Sequence, residues 1–117
     1  MAIKFEDLPP QVQNQLKQLQ QLQQQLEMTV QQKLQIEIKL RETENALEEL
    51  SKMEGNEAVY KSVGNLIIKA NKENLIKELK EDKETTEIRK KTIEEQEKRL
   101  KEKIEELQNK LQEALSK

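Results

Sequence analysis

Residues Ala58 to Ala70 restrict the folds open to this chain more than any other stretch. They read Ala-Val-Tyr-Lys-Ser-Val-Gly-Asn-Leu-Ile-Ile-Lys-Ala and gather β-branched side chains in a sequence that otherwise reads as helix. The Gly64-Asn65 pair supplies the positive φ that a two-residue hairpin turn demands, so the spacing predicts one β-hairpin. Pairing across the turn sets Val63 opposite Leu66, Lys61 opposite Ile68 and Val59 opposite Ala70 on one face. Ser62 opposite Ile67 and Tyr60 opposite Lys69 fall on the other. Apolar side chains therefore lie on both faces. An isolated hairpin is marginal in water, and its two edges carry unpaired backbone donors and acceptors. No other stretch reads as strand, so the missing strands have to come from other chains. Oligomerisation is the first functional expectation, with Val59, Tyr60, Val63, Gly64, Leu66, Ile67 and Ile68 as the assembly residues.

Two long helices are expected on either side. Pro9-Pro10 suits a helix start, because proline has a helical φ and its missing donor would go unpaired there anyway. No Gly or Pro then intervenes up to Lys52, and Val12, Leu19, Leu26, Lys33, Leu40 and Leu47 recur every seven residues as one column of a heptad seam. The companion column is expected to shift, with Leu16 and Val30 on one side and Leu22, Ile36 and Leu50 on the other. Gln11 to Gln35 holds twelve glutamines but keeps the Leu/Val spacing, which reads as helix with a polar exterior. Glu54-Gly55-Asn56 is expected to end this helix, with Gly55 in the left-handed position beyond it.

After the hairpin, Asn71 is a good N-cap and Glu73 suits the first turn of a second helix, expected from Lys72 to Leu115. Its columns are Leu79, Thr86, Ile93, Leu100, Leu107 and Ala114, beside Ile76, Lys83, Lys90, Glu97, Ile104 and Leu111. Pairs four apart, Glu73/Lys77, Glu87/Lys91, Glu94/Lys98, Glu95/Arg99 and Glu106/Lys110, each add only ~0.2–0.5 kcal/mol of helix support. Helices of 43 and 44 residues would each span roughly 65 Å. Near-equal lengths around one hairpin imply an antiparallel coiled coil with both termini at one distal tip. Leu47 and Leu50 should then lie near Ile76 and Leu79, and Val12 and Leu16 near Leu107 and Leu111. The division is thus residues 1–9 as tail, 10–55 as the first helix, 56–71 as the hairpin and 72–117 as the second helix.

Composition excludes several functions. A third of the 117 residues are hydrophobic and 38% charged, with one Phe, one Tyr and no Trp, too little bulk for an ordinary globular core. A net charge of −2 provides no field for nucleic acid or an anionic membrane, and so few aromatics make no base-stacking surface. With no Cys there are no disulfides. No apolar run resembles a leader peptide or a membrane span, and a soluble, cytoplasmic location is expected. There is no His, and carboxylate pairs such as Glu48-Glu49 and Glu94-Glu95 belong to solvated helix faces where nothing tunes them for proton transfer. Val63-Gly64-Asn65 lacks the helix N-terminus of a phosphate loop. No enzyme, cofactor or metal site is expected.

The order helix, hairpin, helix, the motif Val-Tyr-Lys-Ser-Val-Gly-Asn-Leu-Ile-Ile-Lys at 59 to 69, and Leu8-Pro9-Pro10-Gln11-Val12-Gln13 at the start together resemble the prefoldin family over essentially the whole chain. The single hairpin resembles its beta class, since alpha-class members carry two, and the short tails resemble archaeal members. That resemblance implies a hexamer of two alpha and four beta subunits. In it the hairpins join into a double β-barrel platform, and the coiled coils hang from the platform as tentacles. It also implies ATP-independent capture of unfolded polypeptides at the tips and their transfer to a group II chaperonin.

On that footing the client-binding candidates at the tip are Ile3, Phe5, Leu8, Val12, Leu16, Leu107, Leu111 and Leu115, with Ala114 beside them. Seam packing alone accounts for Val12, Leu16, Leu107 and Leu111. Ile3 and Phe5 precede the proline pair, lie outside the heptad, and have no such explanation. Leu75, Ile88 and Leu115 fall off the main columns. A holdase-type chaperone subunit and a coiled-coil spacer or tether without clients are the two functional classes, and unpaired hydrophobes at Ile3 and Phe5 favour the first.

Overall fold

The computed structural model describes residues 4–55 and 57–116. In chain order they form a 3₁₀ turn (Phe5–Asp7), helix α1 (Pro10–Lys52), strands β1 (Val59–Val63) and β2 (Leu66–Ala70), and helix α2 (Lys72–Ser116). The proline pair starts α1: the Pro9 carbonyl accepts the Gln13 N–H at 3.0 Å and Pro10 is the first helical residue. At the start of α2 the Asn71 carboxamide oxygen accepts the Asn74 N–H at 3.1 Å, and the Asn71 carbonyl accepts the Leu75 N–H at 2.9 Å. Glu73 lies in that first turn.

Leaving α1, the chain does not use the expected glycine. Gly55 has no positive φ; the only glycine that does is Gly64. The helix is closed instead by the Met53 N–H donating to the Leu50 carbonyl at 3.3 Å, by a turn from Glu54 to Glu57, and by the Lys72 ammonium donating to the Met53 carbonyl. A cation reaching across from α2 satisfies a terminal carbonyl that a left-handed glycine would otherwise help to satisfy.

The hairpin register matches the expected one at every pair, from Val59 opposite Ala70 to Val63 opposite Leu66. Gly64 has φ +59° and Asn65 is not positive, so only the first central residue is left-handed, the pattern of a type II′ turn. Val63 and Leu66 close that turn as a hydrogen-bonded pair. Alternation along an antiparallel ladder then makes Lys61–Ile68 and Val59–Ala70 the other hydrogen-bonded pairs. The amides of Tyr60, Ser62, Ile67 and Lys69 point outward along the two free edges.

The chain packs as two units, one of residues 34–91 and one of residues 1–33 and 92–117. In the first, Ile36, Leu40, Leu50 and Val59 are buried with Thr43 and Thr86, and Leu47, Ile76 and Leu79 are half-buried. The Lys83 ammonium lies 3.8 Å from the Glu44 carboxylate, and Lys61 of β1 lies 3.6 Å from Glu78 of α2. In the second, Val12, Ile104 and Leu111 are buried with Thr29, and Leu19, Leu22, Leu26, Ile93, Leu100 and Leu107 are half-buried. Here Lys33 of α1 donates to Glu97 of α2 at 3.3 Å, with Lys101 on the same carboxylate at 3.5 Å. Early residues of α1 thus meet late residues of α2, the antiparallel arrangement expected.

One column differs from the expected seam. Val30 is 44% exposed and Thr29 is buried, so the companion column runs unshifted through Leu22, Thr29, Ile36, Thr43 and Leu50. Both threonines are tolerated there because each hydroxyl donates at 2.8 Å to the carbonyl four residues back, that of Gln25 or Lys39. A buried hydroxyl satisfied inside its own helix needs no partner across the seam.

Candidate functional site

Where α1 begins and α2 ends, two apolar surfaces form. The first is a groove between the helices lined by Leu16 and Leu19 from α1 and by Leu111, Leu115, Gln108, Gln112 and Ser116 from α2. Leu16 and Leu19 are half-buried, Leu111 is buried and Leu115 is exposed. Among the described residues no lining side chain is charged, in a chain that is 38% charged overall. The amides of Gln108 and Gln112 supply both donors and acceptors at the rim.

The second surface is the segment before α1. The Asp7 and Leu8 amides donate to the Lys4 and Phe5 carbonyls at 3.0 and 3.1 Å, closing the 3₁₀ turn. The Gln13 carboxamide nitrogen then donates to the carbonyls of Leu8 and Glu6 at 2.9 and 3.3 Å, tying the turn to α1. Phe5 is 42% exposed, and the Lys17 ammonium lies 5.9 Å from its ring centre. At 3.6 residues per turn Lys17 is roughly 100° or more round the helix from Leu16 and Leu19, so Phe5 and the groove offer separate surfaces.

The expected tip residues therefore divide. Leu16, Leu111 and Leu115 meet in the groove; Val12 is buried in the seam; Leu107 and Leu8 are half-buried; Ala114 is exposed; Phe5 lies on the outer face of α1. Ile3 lies outside the described residues.

The hairpin presents a different surface. Val59 is buried at its base, while Tyr60, Val63, Leu66, Ile67 and Ile68 are all exposed, Ile67 at 76%. Tyr60 and Ile67 share one face and Val63, Leu66 and Ile68 the other. Both faces thus keep apolar side chains in water beside two unpaired edges. Such a surface invites further strands.

Among the described residues no group of three or more acidic side chains is placed to hold a metal ion, and no helix is long and apolar enough to cross a membrane.

The family model described as Prefoldin subunit matches residues 13–117. A prefoldin subunit beta of Archaeoglobus fulgidus is 59% identical over 86 residues, 74% of each chain. The chain belongs to the beta class of the prefoldin family. Another beta-class prefoldin, from Thermococcus onnurineus, is 47% identical over 85 residues, 73% of each chain. The crystal structure of the prefoldin beta subunit from Thermococcus strain KS-1 superposes with a TM-score of 0.82 at 47% identity, covering 92% of this chain and 94% of that one. Prefoldins are chaperone subunits, and two helices joined by one hairpin are the fold this chain has in common with that structure.

Reading the sequence missed Thr29 and Thr43 as seam residues, although 22, 29, 36, 43 and 50 are a strict seven-residue series. It also missed the recess lined by Gln25, Met28, Thr29, Gln32, Gln96, Arg99, Leu100 and Lys103. Met28 and Arg99 come from different helices and share no sequence pattern.

Proposed function

We propose that the chain is a subunit of an ATP-independent holdase. It assembles through its hairpin with alpha-class prefoldin subunits, two alpha to four beta. It binds apolar segments of unfolded polypeptides where α1 begins and α2 ends, and it delivers them to a group II chaperonin in the cytoplasm. The observation that carries this reading is the groove between Leu16, Leu19, Leu111 and Leu115, rimmed by glutamine amides and lined, among the described residues, by no charged side chain. Unfolded clients share exposed apolar side chains and free backbone groups but no common charge pattern. A neutral apolar floor with amides that both donate and accept suits such variety. Fully burying one large apolar side chain is worth ~1.5–3 kcal/mol, and several grooves acting on one client multiply that through effective concentration. Phe5, and Ile3 with it, form the second contact.

The experiment is light scattering of a chemically denatured client diluted into the chain plus an alpha-class subunit, without nucleotide. Aggregation is suppressed by the parent and less by Leu16→Ser/Leu115→Ser, while helicity and assembly stay as in the parent. Phe5→Ser, tested separately, weighs the outer surface against the groove. If the parent complex leaves aggregation unchanged, the chaperone reading fails and a spacer or tether without clients takes its place.

A further inference from the structure

We propose that the recess around Met28 and Leu100 is a docking groove for an acidic amphipathic segment of a partner protein, distinct from the client surface. It lies between α1 residues 25–32 and α2 residues 96–103, about 10 Å of helix, and has a volume of about 380 Å³. Its apolar floor is Met28, 65% exposed, and the half-buried Leu100. A flexible thioether left in water on a helix face adapts to different apolar partners at little cost. Gln25, Gln32 and Gln96 are its neutral polar lining.

The charges select the occupant. Among the described residues Arg99 and Lys103 are the only charged side chains lining the recess, and both are cations, although the chain as a whole has more acids than bases. Among the described residues Arg99 is engaged by Glu95 alone, at 3.8 Å, a pair in which both side chains are about 70% exposed and which water already screens. Arg99 and Lys103 are four residues apart and so lie on one face of α2. An incoming helix turn with one or two apolar side chains on Met28 and Leu100 and carboxylates beside them would match this pattern. Nucleic acid fits less well, because the floor is aliphatic and thioether with no aromatic ring to stack a base. Among the described residues the groove lined by Leu16 and Leu115 has no charged side chain in its lining, so the two surfaces select different chemistry.

The test uses fluorescence anisotropy on the full chain assembled with an alpha-class subunit. The probe is a labelled helical peptide with leucines one turn apart and flanking glutamates; the control peptide has glutamine for each glutamate. The acidic peptide should bind, and more weakly as salt rises. Arg99→Glu/Lys103→Glu should weaken it about tenfold or more, and the glutamine peptide should lose most affinity for the parent. Met28→Ser should weaken both peptides, whereas Leu16→Ser/Leu115→Ser should leave the acidic peptide's binding intact. Should charge reversal disturb folding, seen as lost helicity, Arg99→Gln/Lys103→Gln replaces it with the same expected direction. The proposal is overturned by any of three results: no binding of the acidic peptide, equal binding to the charge variants, or loss of binding that follows Leu16→Ser/Leu115→Ser. Displacement of the peptide by an oligonucleotide at similar concentration also overturns it, by reducing the groove to an unselective polyanion surface.

Discussion

Gly64→Ala separates the turn from everything else the hairpin does. A Cβ built on Gly64 meets nothing within 4 Å, so the substitution adds no clash. Its whole effect is the φ of +59°, which an L-residue adopts at a cost of about 1–2 kcal/mol. In one chain that cost falls on a two-stranded hairpin of marginal stability and leaves the helix seams untouched. In the proposed complex of two alpha and four beta subunits it would enter four times, about 4–8 kcal/mol against assembly. Gly55→Ala is the matched control: a Cβ there also meets nothing within 4 Å, but Gly55 has no positive φ, so no strain is expected. Sedimentation velocity of each variant titrated with an alpha-class subunit, beside circular dichroism at 222 nm, reads the two effects. Gly64→Ala should assemble at higher concentration than the parent with unchanged helicity, and Gly55→Ala should behave as the parent. A Gly64→Ala chain that assembles as tightly as the parent would refute the turn's role.

Two predictions concern the helices. Leu50 is 5% exposed and Leu47 half-buried, so Leu50→Ala should lower the thermal midpoint more than Leu47→Ala, with a cost in the ~2–5 kcal/mol range of well-packed leucines; equal midpoints would contradict the packing. Glu97, whose side chain is 14% exposed and holds both Lys33 and Lys101, should cost about 1.5 kcal/mol when changed to Ala. Glu95→Ala, which removes an exposed pair, should melt within a degree or two of the parent by calorimetry.

The hairpin was legible in the sequence because turn and strand signals are local. A Gly-Asn pair between two β-branched runs specifies both the register and the side of each residue, and the pairs at Val59–Ala70 and Val63–Leu66 follow from counting outward. Pro10 and Asn71 were legible for the same reason: a cap acts on the residues next to it. Gly55 misled, because whether a glycine turns left-handed depends on which group satisfies the last carbonyls, and here Lys72, distant in sequence, reaches Met53. Val30 misled in another way. Hydrophobicity favours valine over the adjacent threonine, but a continuous seven-residue register brings Thr29 inward, and its hydroxyl is satisfied by Gln25. At the candidate site, Phe5 was legible as a hydrophobe outside the heptad. Its position over Lys17 was not, since that depends on Gln13 binding two carbonyls of the preceding turn. The two grooves are products of helix pairing, and lining residues drawn from opposite helices leave no joint pattern in the sequence.

On the proposed assembly, this hairpin is completed by strands from other chains. Hydrogen exchange of the backbone amides from Val59 to Ala70, resolved by residue, tests it most directly, for the chain alone and with an alpha-class subunit. The register assigns the amides of Val59, Lys61, Val63, Leu66, Ile68 and Ala70 to the internal ladder and leaves those of Tyr60, Ser62, Ile67 and Lys69 on open edges. In the complex, the amides of Tyr60, Ser62, Ile67 and Lys69 should slow strongly, because an added strand accepts hydrogen bonds from them. Edge amides that exchange as fast in the complex as in the chain alone would mean that no strand is added to the hairpin.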